Sequence, residues 1–356
     1  MKKYKLGIAL ISLLLLILFA FFRRSSHLEQ RNLYVVLPLT GELSNIGQLA
    51  KKTVDAYLSI NSNVSFKVTF VDAQSSPSKA LSALSQATLR EKSPLVICMF
   101  SMFSKVLVPY VNQRGGFSVP ISTINMEEFQ GVTGFQRVSN SIRDVISPIV
   151  SHANGRYSRV AVIYVNDEFG VANKDFFCSN FTGKVVSAYS FRSGDVNVRE
   201  TVSRTIQKKP DAILLTGTPS FAYINVVRCL KEYGFVGDLL SDGSFTNPFV
   251  YKNLGETADD TLCSIHTCMI DGALSQPRFS EYGIPIYFLT IQMYDALSVI
   301  DQLCAMNLTI SQEEFQKLGK FRGCSGEVLF LKDGNSEYEH ILSRFKSGKF
   351  FKIGQR

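Results

Sequence analysis

The stretch Leu33-Tyr34-Val35-Val36-Leu37-Pro38, followed by the polar break Thr40-Gly41 and then by residues 48–60 with apolar side chains at Leu49, Val54, Tyr57 and Leu58, sets the reading of the whole chain. An apolar run without alternation reads as a strand buried on both faces, and the spacing after it reads as one face of a helix. The unit recurs. Residues 66–71 read as a strand, 77–90 as a helix with Pro77 in its first turn, 95–100 as a strand, 104–113 as a helix and 119–122 as a strand. A second series begins after Phe135 to Val138, with helices expected at 141–153, 171–177, 198–208 and 220–233 and strands at 160–165, 185–191 and 212–216. Repeated strand–helix–strand units predict parallel sheets covered by helices on both faces, and two series predict two α/β lobes. A cleft between such lobes is a favoured ligand site, because strand ends and helix N-termini from both face it.

The 356 residues, 46% of them hydrophobic, suffice for two domains of ordinary size. The net charge of +8 is concentrated at the N-terminus: Lys2, Lys3, Lys5, Arg23 and Arg24 occur there without an acid, leaving +3 for residues 28–356. No stripe of Lys and Arg interleaved with aromatics occurs elsewhere, which argues against nucleic acid as a partner. Residues 6–22 are uncharged and mostly aliphatic, an export signal or membrane anchor. No small-x-small cleavage site follows, so an uncleaved anchor and a cleaved signal both stay open; either places the remainder outside the cytoplasm if the lysine-rich end stays in.

The seven cysteines show no metal-ligand spacing. In an oxidising compartment Cys263 could pair with Cys268, and Cys304 with Cys324; buried free thiols are the alternative, above all for Cys98 and Cys229. His27, His152, His266 and His340 are far apart in sequence and read as surface or hydrogen-bonded histidines. No HExxH, Walker loop, nucleophile elbow or dinucleotide fingerprint is present, and the acid pairs Asp167-Glu168 and Asp259-Asp260 read as solvated turns. The expectation is a protein with no enzymatic activity, cofactor or metal.

Several stretches, in order, resemble the leucine/isoleucine/valine-binding family of type I periplasmic binding proteins: Leu37-Pro38-Leu39-Thr40-Gly41 with Ile46-Gly47-Gln48, Val71 to Ala80, Val160 to Tyr164 with Asp167-Glu168-Phe169-Gly170, Lys209-Pro210-Asp211-Ala212-Ile213, Tyr294-Asp295-Ala296, and Phe321 to Gly326 with Phe330 and Asp333-Gly334. The resemblance implies an α/β fold of two Rossmann-like lobes with parallel central sheets and three inter-lobe crossovers, preceded here by one N-terminal hydrophobic helix. Residues 1–27 would be signal or anchor, 33–137 with 266–326 the first lobe, and 138–265 with 327–356 the second. The crossings would fall near Val138, near Ile265 and between Gly326 and Phe330. It further implies closure around a small polar solute, an amino acid or related compound, delivered to an ABC permease in the membrane.

Carried over by position, the carboxylate of such a ligand would meet Ser101 and Ser104 on one segment and Thr123 and Asn125 on the next, where hydroxyls and free N–H groups favour an anion. Phe169, Thr218 and Asp242 would come from the second lobe, with Asp242 as partner of a ligand ammonium. The run Asn125-Met126-Glu127 departs from the family's Ser-Ala-Thr, and a glutamate there would repel a carboxylate. That departure, with the anchor-like N-terminus, supports an alternative: a membrane-anchored sensor or interaction protein with a diverged pocket. Ser101 as a helix cap, Phe169 as core and Asp242 as a turn cap are the structural alternatives.

Overall fold

The computed structural model describes residues 30–123, 129, 131–271, 279, 281–306 and 308–353. Strands β1 (Arg31–Leu37), β2 (Phe66–Asp72), β3 (Leu95–Met99) and β4 (Phe117–Ile121) form a parallel sheet in the order β2-β1-β3-β4. The connecting helices are α1 (Ser44–Ile60), α2 (Pro77–Ala87) and α3 (Ser101–Gln113). Side chains alternate across β1, as a period of two requires. Leu33, Val35 and Leu37 join a core with α1, whereas Tyr34 and Val36 join a second core with α2 and α3. Both faces are covered, which is why this strand carries no polar alternation.

A second sheet has the order β14-β13-β9-β8-β7-β5-β6. Its parallel part is β5 (Arg159–Val165), β6 (Lys184–Phe191), β7 (Ala212–Thr216), β8 (Asp238–Ser241) and β9 (Leu262–His266). Strands β13 (His340–Lys346) and β14 (Lys349–Lys352) extend it antiparallel. Helices α4 (Ile142–Asn154), α5 (Glu168–Asn180), α6 (Arg199–Ile206), α7 (Phe221–Glu232) and α8 (Pro248–Leu254) accompany it, followed by the short α9 (Cys268–Asp271). The starts are set locally: Ser141 and Asp144 form a reciprocal capping box on α4, and Asp167, Ser220 and Asn247 cap α5, α7 and α8 through their side chains.

After β9 the chain returns to the first sheet, where α10 (Phe288–Ala305) packs on α1. Helix α11 (Gln312–Lys317) follows, then a small antiparallel sheet of β10 (Lys320–Gly323), β11 (Gly326–Phe330) and β12 (Ser336–Tyr338). Val328, Phe330 and Tyr338 bury their side chains in the first core. The last passage to the large sheet therefore falls at Glu339, between β12 and β13, and not between Gly326 and Phe330 as expected. The fold is α/β with largely parallel central sheets. Among the described residues no helix is long and apolar enough to cross a membrane; the hydrophobic segment 6–22 lies outside them.

The passages between the sheets are joined by buried polar side chains. Ser139 Oγ donates to Gln292 Oε1 (3.0 Å), Gln292 Nε2 donates to Asn140 Oδ1 (2.5 Å), and the same amide nitrogen lies 3.3 Å from His266 Nε2. Ser336 Oγ donates to the Ser139 carbonyl at 2.8 Å. The rings of His266 and His340 stand 4.2 Å apart between centroids, so two histidines read separately in the sequence meet at adjacent strand ends.

One glycine fixes the entry to α1. A Cβ on Gly47 would lie 2.1 Å from the Pro38 carbonyl oxygen, so helix and loop approach closely only without a side chain. Gly47→Ala is expected to lower the unfolding free energy by about 2–3 kcal/mol through forced displacement of backbone. Urea titration of both proteins checks this, and a loss below about 0.5 kcal/mol would show that the loop yields freely.

Candidate functional site

The C-terminal ends of the parallel strands from both sheets face one another across a cleft of about 240 Å³. From the first sheet come Phe100, Ser101 and Met102 after β3 and Ile121, Ser122 and Thr123 after β4. The second sheet supplies Asp167, Glu168 and Phe169 after β5, Ser193 after β6, Thr218 and Pro219 after β7, and Ser244 after β8. Ser139 enters from a passage segment, Tyr287, Phe288 and Leu289 from the start of α10, and Glu42, Leu43 and Ser75 from the turns after β1 and β2.

Each wall is held by its own hydrogen bonds. Asp72 Oδ1 accepts from the N–H groups of Leu39 (2.9 Å), Thr40 (3.2 Å) and Gln74 (2.9 Å), and Asp72 Oδ2 accepts from the Thr40 hydroxyl (2.7 Å). Burial alone would raise that carboxyl's pKa, but these donors win and hold it below the ordinary range. Ser75 Oγ accepts from Leu43 N–H at 3.1 Å, which fixes the turn bearing Glu42 and Leu43.

Phe100 sits at φ +72°, where side chains are rarely tolerated, a strain of about 1–3 kcal/mol. That conformation turns the chain sharply from β3 into α3, with no side-chain cap on the helix. The first N–H groups of α3, on residues that line the cleft, are thus open to an acceptor in the cleft. Ser122 Oγ on the neighbouring loop is buried and makes no hydrogen bond among the described residues.

Opposite stands Asp167. Its Oδ1 accepts from Gly170 N–H (2.6 Å) and its Oδ2 from Thr218 N–H (3.1 Å), tying the loop after β5 to the loop after β7. Burial pushes its pKa up and these bonds pull it down; burial wins. Glu168 reaches across the cleft to Lys105 of α3, Oε1 to Nζ 3.3 Å. The pair Asp167-Glu168, expected to be a solvated turn, is instead part of the cleft wall.

Of the residues singled out from sequence, Ser101, Thr123, Phe169 and Thr218 line the cleft together. Ser104 does not: its hydroxyl is buried, donates to the Phe100 carbonyl at 3.0 Å and lies 3.6 Å from Cys98 Sγ. Asp242 also lies behind the wall. Its Oδ2 accepts from the Thr216 hydroxyl, Gly217 N–H (3.1 Å) and Asn173 Nδ2 (3.1 Å), and its Oδ1 accepts from Ser244 N–H (2.7 Å). A carboxylate so occupied anchors the loops after β7 and β8 and is removed from contact with a ligand ammonium. Asn125, with Met126 and Glu127, lies outside the described residues.

Sequence reasoning missed Glu42, Ser139, Ser193, Ser244 and the Tyr287-Phe288-Leu289 segment. The aromatic pair opening an apolar helix was the one local signal for the last of these. Among the described residues no group of three or more His, Cys, Asp or Glu side chains is arranged to hold a metal ion. All seven cysteines are free thiols in this structure, those of the two pairings considered from sequence among them.

This architecture and cleft have known counterparts. A family model described as periplasmic binding protein matches residues 35–266, and the chain belongs to that family. The leucine-binding protein LivK of Thermotoga maritima superposes with a TM-score of 0.77 at 22% identity, covering 91% of this chain and 98% of that one. The branched-chain amino acid transporter substrate-binding protein LivJ of Streptococcus pneumoniae, in complex with isoleucine, gives 0.80 at 15% identity over 91% and 99%. An ABC-transporter solute-binding protein of Rhodopseudomonas palustris, in complex with p-hydroxybenzoic acid, gives 0.80 at 15% identity over 92% and 96%. At these identities the likeness is one of fold. No curated protein matches the chain.

Proposed function

We propose that the chain is an extracytoplasmic solute-binding protein that captures a small polar ligand, an amino acid or related compound, in the cleft for an ABC transporter. The observation that carries this reading is the pairing of chemistries across the cleft. The uncapped N-terminus of α3 with Ser101 suits a carboxylate, Asp167 opposite suits an ammonium, and Phe100, Phe169 and Phe288 suit an apolar body between them. The two sheets with their helices act as lobes, the passage segments as their hinge, and closure brings the two walls onto the ligand. Binding is the protein's whole chemistry; it is no enzyme and needs no cofactor. Residues 6–22 direct export and, if retained, tether the protein to the cytoplasmic membrane, where the permease partner lies.

Thermal unfolding of residues 28–356, freed of ligand by partial unfolding and refolding, tests this against branched and aromatic amino acids, amides, short peptides and benzoates. A true ligand at about a hundred times its dissociation constant stabilises the folded state by roughly 2.7 kcal/mol. The gain is expected to fall by more than half in Ser101→Ala and Phe169→Ala. A folded protein that responds to none of these compounds would overturn the transport reading and favour a membrane-anchored sensor or interaction protein.

A further inference from the structure

The seven thiols fall into two kinds. Cys98 faces the Ser104 hydroxyl, Cys178 lies near Lys174, Cys229 near Arg199, Cys263 near Asp242, and Cys304 near Arg31 and Asp301. Cys229 and Cys263 belong to the same large core of the second sheet, but of the seven thiols only Cys324 is close enough to another, Cys268, to feel its charge. Cys268 is buried in a small apolar cluster with Ala56, Phe279, Ile284 and Ile291, and Cys324 packs against the same cluster. The first opens α9 just after the passage out of β9; the second lies in the turn between β10 and β11.

That turn is held firmly. Asp295, fully buried on α10, accepts from the N–H groups of Cys324 and Ser325 and from the Ser325 hydroxyl. A Cβ on Gly323 would lie 2.4 Å from the Asp295 carboxylate, so the turn seats directly on it. The Cys324 thiol is thereby presented to the cluster in a fixed position, and little order remains to be imposed when a bond is made.

We propose that Cys268 and Cys324 are joined by a disulfide in the exported protein, clasping the segment after β9 to the β10–β11 turn; this rests on the extracytoplasmic placement proposed above. The reaction is thiol–disulfide exchange with a small-molecule or protein disulfide of that compartment. The mostly buried but still partly accessible Cys324, as thiolate, attacks one sulfur of the oxidant; the oxidant's disulfide breaks and its other sulfur leaves as thiolate. Cys268, as thiolate, then attacks the Cys324 sulfur of the mixed disulfide and expels the second oxidant thiolate. The protein loses two protons and two electrons, and the oxidant is reduced to two thiols. Burial, with the Asp295 charge added, pushes Cys268 up to about 12 and Cys324 upward as well, so few thiolates exist at neutral pH and exchange is slow and accelerates with rising pH.

The test has two arms on the full chain in mild detergent. In the first, cells are quenched with acid, free thiols are alkylated under denaturing conditions, and peptides are mapped without reductant. Five alkylated cysteines with a Cys268–Cys324 cross-linked peptide are expected. In the second, purified reduced protein is treated with oxidised glutathione at pH 8.5. The same peptide is expected, absent in Cys268→Ser and in Cys324→Ser, and reduction is expected to lower the wild-type Tm by several degrees while leaving the variants unmoved. A different pair, or seven free thiols after glutathione treatment, overturns the pairing. Seven free thiols in cells, with the expected pair formed in vitro, overturns the disulfide in the exported protein through failure of the placement and leaves the geometry standing.

Discussion

Replacement of Asp242 by alanine is expected to lower the unfolding free energy by about 4 kcal/mol, although its side chain touches no part of the cleft volume. The carboxylate is wholly buried and is the common acceptor for the hydroxyl of Thr216, the N–H groups of Gly217 and Ser244, and the amide of Asn173. Alanine strands these donors, each worth about 1–3 kcal/mol when buried without an acceptor, and partial relaxation recovers some of the sum. Asp242→Asn keeps one acceptor oxygen and should lose roughly half as much. The contrast separates two roles. A partner for a ligand ammonium would lose binding in the asparagine variant with little change in stability, whereas an anchor loses stability first. An Asp242→Ala protein within about 0.5 kcal/mol of the parent in urea titration would show that the loops after β7 and β8 hold without it.

The second large effect concerns acid. His266 is fully buried, and burial pushes its pKa down to about 3; His340 moves the same way through burial and the charge of His266. Gln292 gives its oxygen to Ser139 and turns its amide nitrogen toward His266 Nε2, which therefore accepts, leaving the ring neutral with its proton on Nδ1. Because the folded pKa lies below the unfolded value near 6.5, the contribution of His266 is complete above that pH and is lost as pH falls from 6.5 toward 3. Between pH 7 and pH 5 the loss from His266 is about 2 kcal/mol. Asp295 works in the opposite sense. Burial raises its pKa to about 6 against the pull of its hydrogen bonds, so its protonation favours the folded state as pH falls through 6. The histidine effect is accordingly read as a difference: His266→Gln should lose about 2 kcal/mol less than wild type between pH 7 and pH 5. Parallel stability curves for the two proteins would assign the acid sensitivity elsewhere.

Much of the fold was open to sequence reading, because its information is local. The run Leu33 to Leu37 feeds two cores on opposite faces, and a strand covered on both sides declares itself by losing polar alternation. Helix starts at Pro77, Ser141 and Ser220 carry their own punctuation. Long-range geometry was the part that failed. The position of Asp242 after a strand was legible, but its direction depends on Asn173 and Thr216, which reach it from other elements. The segment 327–338 reads as strand in either lobe, and only the burial of Val328, Phe330 and Tyr338 assigns it to the first core. Tyr287, Phe288 and Leu289 reach the cleft because α10 packs on α1, a contact between segments far apart in the chain. His266 and His340 are likewise brought side by side by the pairing of β9 with β13.

Lys105 and Glu168 form an ion pair across the cleft, and in a receptor that opens and closes as proposed above that pair would belong to the closed shape. Both side chains are about half exposed, and such a pair contributes at most about 1 kcal/mol. In such a receptor that amount would still change the fraction closed before any solute arrives by several-fold, and apparent affinity follows that fraction. Salt screens exposed charges over about 8 Å at physiological ionic strength. On that reading the strength with which the protein holds a solute is coupled to the ionic strength of its surroundings, and a dilute medium should make it the tighter receptor.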